Sequence, residues 1–170
     1  YTNCPICVPS RSSFSTGRWV HQTGSWDNAH PYDGRVPGWG HRLQAAGRRV
    51  SAIGKLHFRN ALDPTGFDEQ LHPMHVVDGV GDLLGSIRDE LPYRHSAKKY
   101  AEQVGPGESS YNRYDRDIAR LACEWLEKRA EEEPGGPWML YVSFVCPHFP
   151  LIAPPEFCAR YKPEEMPLPK

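Results

Sequence analysis

Trp138-Met139-Leu140-Tyr141-Val142-Ser143-Phe144-Val145 is the stretch that decides the fold class. It is a nearly continuous run of apolar residues broken only by Ser143, and a strand of that composition is covered on both faces, as in a parallel sheet flanked by helices. We therefore expect a central parallel strand here. Just upstream, Tyr114, Ile118, Leu121, Ala122, Trp125 and Leu126 recur at helical spacing and form one apolar stripe, with Glu124, Glu127, Lys128 and Arg129 on the other faces. Glu131, Glu132 and Glu133, followed by Pro134 and Gly135, end that helix as a solvated terminus. Earlier in the chain the same step is taken once more. A short helix over about 38–46 stops at Gly47, and a strand over 49–53 follows and stops at Gly54. Helix-to-strand alternation of this kind specifies an α/β domain with a mostly parallel sheet.

Ahead of these elements, residues 8–18 allow a short helix with Pro9 in its first turn and Gly17 as its stop, which puts Cys7 at the helix amino terminus. Residues 20–37 are rich in Gly, Asp, Asn, His and Pro without periodicity and read as a long loop. Residues 59–110 show no consistent period beyond a weak helical patch near 82–90. Ligands of open α/β sheets bind beyond the carboxyl ends of the strands. That rule directs attention to Lys55 and His57 after the first strand and to His148 after the second.

The whole chain has 170 residues, with 20 Lys+Arg against 21 Asp+Glu and a formal net charge of −1. So even a balance argues against a nucleic-acid or membrane-surface binder. The longest apolar stretch, Trp138 to Cys146, falls well short of the roughly 20 residues of a membrane span. The sequence opens Tyr1-Thr2-Asn3-Cys4, with neither an initiator Met nor a basic-then-apolar leader, which reads as a chain truncated at its start. An odd set of five cysteines does not suggest a disulfide framework, and the expected compartment is the reducing cytoplasm. Cys4, Cys123, Cys146 and Cys158 are expected to be small packed residues. His21, His30, His41, His72, His75 and His95 have no partner at a defensible metal-ligand spacing.

The most specific string is Cys7-Val8-Pro9-Ser10-Arg11 continuing to Thr16-Gly17-Arg18. It resembles the signature of type I sulfatases. The resemblance implies that Cys7 is oxidised to formylglycine, whose hydrated aldehyde is the nucleophile, and that Pro9 and Arg11 are read by the formylglycine-generating machinery. The placement makes chemical sense, because an oxyanion is favoured at a helix amino terminus and beside a guanidinium. Gly54-Lys55-Leu56-His57-Phe58 resembles the family's G-K-x-H segment, whose Lys and His contact the sulfate and the formylglycine. In an extended segment positions i and i+2 share a side, so both cations are expected to face one anion. Cys146-Pro147-His148-Phe149-Pro150 resembles the P-H-x-P segment, whose His contacts the sulfate or its bridging oxygen. Within the family the chain is similar to choline-sulfatase-like enzymes at Trp26–Ala29, Gly47–Phe58, Gly66–Glu69 and Trp138–Pro150, which makes Asn28 a candidate substrate-binding residue. A quaternary ammonium is held by aromatic faces. With no Trp between Trp39 and Trp125, Tyr93, Tyr100, Tyr111 and Tyr114 are the candidates for that task.

The resemblance thus implies an alkaline-phosphatase/sulfatase-like sheet. Cys7, Arg11, Lys55, His57 and His148 would be the catalytic residues, and the oxygen of converted Cys7 would ligate a divalent cation, Ca²⁺ first, with Mg²⁺ or Mn²⁺ as alternatives. The substrate would be a small sulfate ester. It also implies that residues 1–170 are part of the N-terminal catalytic α/β domain, lacking the first strand and the C-terminal metal-ligand segment, so that they should turn over little alone. Three rivals stand beside it. One is a phosphonate or phosphate monoester hydrolase of the same superfamily. Another is a thiol or zinc module built on Cys4-Pro5-Ile6-Cys7, which would need two more ligands. The third is an inactive fragment.

Overall fold

Helix α1 runs from Cys7 to Thr16 and ends at Gly17, whose left-handed backbone (φ 67°) lets its N–H donate to Ser13 O at 2.8 Å. It packs through small side chains, with Val8, Ser12, Ser15 and Thr16 all buried. A short helix α2 (Val20–Thr23) follows inside the stretch expected to be all loop; Gln22 Oε1 accepts the Trp19 N–H at 3.0 Å and closes its first turn. Helix α3 (Trp39–Ala45) and strand β1 (Arg49–Lys55) lie where the sequence puts them. Then come β2 (Glu69–Met74), α4 (Ala97–Glu102), β3 (Val104–Pro106), α5 (Ser110–Glu131), β4 (Trp138–Ser143), β5 (Leu151–Ala153) and α6 (Pro155–Cys158). This computed structural model describes residues 2–90, 93, 95, 97–132 and 135–167; Glu133 and Pro134, expected at the end of α5, lie outside the described residues.

The sheet has the order β2-β1-β4 and is parallel throughout, with Ile53 opposite Leu71 on one side and Val142 on the other. A second, two-stranded parallel pair joins β3 to β5. Successive residues of β1 supply opposite faces. Ile53 packs under α5 with Ile118, Ala122 and Trp125, while Ala52 packs with Tyr32, Leu56 and Phe58. Helix α5 starts at a reciprocal cap in which Ser109 Oγ accepts the Asn112 N–H at 3.1 Å and Asn112 Oδ1 accepts the Ser109 N–H at 2.9 Å. Glu69 ties three elements together, because Oε2 accepts from Trp125 Nε1, Ser51 Oγ and Arg49 Nη2 at 3.2, 3.2 and 3.3 Å. Burial pushes its carboxyl upward, but these donors hold it below the usual value. Among the described residues no helix is long and apolar enough to cross a membrane.

Three further expectations are corrected, and one strand appears that the sequence does not announce. The central strand is β1, not β4, which has β1 as its only partner in the described sheet. An apolar run reports covered faces rather than paired edges, and both faces of β4 are covered: Leu140 and Val142 lie against α5, while Tyr141 meets Trp39 and Phe67. Gly54 does not stop β1. It sits inside the strand at φ 95° and shifts the register with β2 between Ile53 and Lys55, as a glycine bulge does. The polar segment of β2, with Pro73 inside it, is an edge strand that no period announces. Finally, Cys123 and Cys146 are exposed and Cys4 and Cys158 half-buried, because Cys123 falls off the Ile118–Ala122–Trp125 stripe of α5 and Cys146 lies beyond the end of β4.

Gly54 is where the fold and the site meet. A Cβ there would stand 2.3 Å from Ser143 O and 2.6 Å from Ile118 Cδ1, on a backbone that L-residues rarely adopt. Gly54→Ala is expected to cost about 3–5 kcal/mol by combining left-handed strain with overpacking, readable as a lowered urea midpoint in chemical denaturation. A loss below about 1 kcal/mol would show that β1 and β4 can separate at this point without penalty.

Candidate active site

Cys7 is the first residue of α1, and α1 approaches the carboxyl ends of β1 and β4 through Arg11 one turn later. The Arg11 guanidinium donates from Nη1 to Lys55 O at 2.9 Å and to Ser143 Oγ at 3.0 Å, so one side chain joins the helix to both strands. A cavity of about 530 Å³ opens there, lined by Cys7, Ser10, Arg11, Lys55, Ser143 and His148 among other, mostly apolar residues that include Phe14 and Tyr141. Among the described residues no carboxylate lines it.

Lys55 is 4% exposed, and burial draws its ammonium below the ordinary lysine value. Negative charge at Cys7 and at Asp115 opposes that shift, and Arg11 adds to it. His148 reaches the cavity from the segment after β4, and its Nδ1 lies 2.8 Å from Phe149 O. A carbonyl only accepts, so Nδ1 carries the hydrogen and Nε2 is the nitrogen left for another partner. Asn28 is drawn to the same place by a different bond, its Oδ1 accepting the Val8 N–H at 2.9 Å and satisfying a free amide of the first turn of α1. The loop carrying Asn28 is held by Asp27, 1% exposed, which accepts from Ala29 N, His30 Nδ1 and Ile87 N at 2.8, 2.7 and 2.8 Å.

His57 departs from the expected geometry. Its backbone is left-handed (φ 57°), and its N–H donates to Met74 O at 2.7 Å, so the chain turns away after Lys55 and the two side chains do not share an extended face. His57 stands outside the cavity lining, yet close enough to feel Lys55, Arg11, His148 and His75. Its Nδ1 is buried and has no partner among the described residues. Burial first, then the charges of Lys55 and Arg11, push its pKa down to about 4, so the ring is neutral at pH 7.

The structure thus brings Cys7, Arg11, Lys55 and His148 to one cavity, sets His57 behind it, and spends Asn28 Oδ1 on α1. Sequence reasoning missed Ser143, although the only polar break in an apolar run was its visible signal, and it missed Asp115, which looks like any acid on a solvated helix face. For a metal the described residues fit poorly. No group of three or more His, Cys, Asp or Glu among them could hold an ion. A hard divalent cation takes about six or more oxygen ligands, and an oxygen at position 7 is one. The same observation leaves Cys4 and Cys7 without the further ligands of a zinc site among the described residues.

The parallel α/β sheet sets a helix amino terminus, a guanidinium and an ammonium around one cavity, groups that each attract negative charge. The chain belongs to the sulfatase family, whose pattern matches residues 1–169. It is 30% identical to the choline-sulfatase of Rhizobium meliloti over 95% of its own length and 33% of that protein's. It is 38% identical to human arylsulfatase K over 87% of its length and 25% of that protein's. Among solved structures, the phosphonate monoester hydrolase of Agrobacterium radiobacter superposes with a TM-score of 0.61 over 98% of this chain and 36% of that one, at 18% identity, which speaks to the fold alone. The chain spans about a third of the length of the choline-sulfatase it matches.

A neutral, buried His57 has a measurable consequence. The unfolded chain takes up a proton near the ordinary pKa of 6.5, whereas the folded chain waits until about pH 4, so stability falls as pH drops through that window and is unaffected above it. The contribution is on the order of 2–3 kcal/mol, and His57→Gln should flatten that part of the stability profile. An NMR titration should place the His57 midpoint near pH 4; a midpoint at the ordinary value would mean that the ring is solvated.

Proposed function

We propose that the chain forms the nucleophile-bearing part of a sulfatase that hydrolyses a small sulfate ester to an alcohol and inorganic sulfate. The observation that carries this reading is the cavity at the start of α1. Apart from Cys7 and the Tyr141 phenol, its ionisable lining among the described residues is Arg11, Lys55 and His148, with no carboxylate to repel an anion.

In the proposed reaction Cys7 acts after oxidation to formylglycine by the formylglycine-generating machinery. One hydroxyl oxygen of the aldehyde hydrate attacks sulfur and gives up its proton, which ends on the alcohol oxygen whose bond to sulfur breaks. The second hydroxyl then loses its proton as the C–O bond to the sulfate breaks, leaving sulfate and aldehyde, which water rehydrates. The chain's own groups divide the work. A guanidinium has five N–H donors and Arg11 commits only Nη1 to the protein, so its remaining donors serve the nucleophilic oxygen. Lys55 and His148 neutralise the sulfuryl oxygens as charge moves onto them. His57, neutral at pH 7, can orient the second hydroxyl and take its proton before the collapse only by turning its ring into the cavity it stands outside. No step is routed through a cation here, since the described residues do not build its site. A reducing compartment such as the cytoplasm completes the reading, on the odd number of cysteines in the sequence.

Mass spectrometry of the peptide containing Cys7 tests the reading, using protein from a host with formylglycine-generating activity. Conversion is expected to lower the peptide mass by about 18 Da, as a thiol becomes an aldehyde. An intact thiol in that host would remove the nucleophile and the proposal with it. For converted protein, faster turnover of an aryl sulfate than of the matching phosphonate monoester is expected, and the reverse order would assign the site to phosphonate ester hydrolysis.

A further inference from the structure

The β4 ladder ends where Ser143 pairs with Gly54, so the amides of Val145 and Cys146 lie past the last strand partner and need acceptors elsewhere. Both are met by one side chain. Asp115, in the second turn of α5, accepts the Val145 N–H on Oδ1 at 2.7 Å and the Cys146 N–H on Oδ2 at 2.9 Å. Two charge-assisted bonds to consecutive amides fix the direction of the chain as well as its place. That direction decides where His148 falls, because the His148 N–H closes a turn onto Val145 O at 3.0 Å. The far side of the segment is held from the same helix, Asn112 Nδ2 donating to Ile152 O at 3.2 Å. Asp115 itself is absent from the lining of the nucleophile cavity and borders a neighbouring one of about 470 Å³. Besides the charge it sets near Lys55, it acts through what it holds.

We propose that Asp115 positions His148: by binding the Val145 and Cys146 amides, its carboxylate sets the turn that delivers the imidazole to the cavity beside Cys7, Arg11 and Lys55. Only its effect on turnover rests on the sulfate-ester reading above; the placement of His148 does not. Asp115→Asn keeps the shape but sets an NH₂ group against one of the two amides, so the turn should shift. Misplacement on the ångström scale costs up to about 100-fold in rate.

The test is a double-mutant cycle in the full chain with Cys7 converted, assayed on para-nitrophenyl sulfate, with NMR of the His148 ring as a readout that needs no turnover. Asp115→Asn is expected to lower kcat/KM by about 10- to 100-fold, and to add less than about twofold once His148→Ala is present, because it acts through that ring. The His148 ring resonance should move in Asp115→Asn and stay fixed in Glu124→Gln, a change at an exposed ion pair elsewhere on α5. An additive cycle, or a His148 resonance that ignores Asp115→Asn, overturns the proposal. Should the variant not fold, hydrogen exchange in the unsubstituted chain decides: slow exchange at both Val145 and Cys146 amides is expected, and fast exchange overturns it. If the chain cleaves no sulfate ester while the His148 resonance still shifts, Asp115 keeps its positioning role and the ester-hydrolase reading fails.

Discussion

Everything around Cys7 depends on the guanidinium of Arg11. It donates to the backbone carbonyl of Lys55 and to the hydroxyl of Ser143, and those two acceptors end the two strands that form the floor of the site. A hydrogen bond with a charged donor contributes about 1.5–3 kcal/mol, more than a neutral one, and it is directional. Helix α1 is otherwise a poor anchor. Its buried face is mostly serine and threonine, which offer little apolar area, and no side chain of its own caps its amino terminus. Asn28 supplies a cap from outside, and Arg11 supplies the link to the sheet.

The price of this arrangement is a crowd of positive charge. His57 feels Lys55, Arg11 and His148, Lys55 feels Arg11, and water is excluded from Lys55. Two responses are visible. His57 gives up its proton and becomes a neutral ring, which relieves repulsion and leaves a base at ordinary pH. Asp115, outside the cavity, places negative charge near enough to favour the charged form of Lys55 while its oxygens are occupied by the Val145 and Cys146 amides. Cys146 feels the same surroundings: partial desolvation of its otherwise exposed side chain and then Asp115 push its thiol up to about 11, so it stays protonated beside the site.

How legible this was in the sequence depended on whether an element is made by its own residues or by its neighbours. β1, α5 and the apolar body of β4 announce themselves, because covered faces demand apolar side chains at fixed periods. β2 does not, since a polar edge strand containing Pro73 needs only backbone bonds to β1. β3 and β5, three residues each, are too short for any period to show. At the site, Cys7, Arg11, Lys55 and His148 follow from the motifs and from the rule that strand ends bind ligands. The left-handed turn at His57 and the two amides held by Asp115 exist only in three dimensions. His57 therefore misled an argument from extended geometry, and Asp115 passed for a solvated helix acid.

The bond from Arg11 to Ser143 joins residues 132 positions apart in the chain. No local piece of folding can make it. α1 and α5 can each form from neighbouring residues, and β1 can meet β2 across a modest loop, but the site waits until β4 has come home after the whole crossover through α5. Contacts of such separation are paid for in loop-closure entropy before they return any energy, which makes them late. The anion seat is therefore a property of the finished sheet, and helical content measured during refolding should run ahead of it.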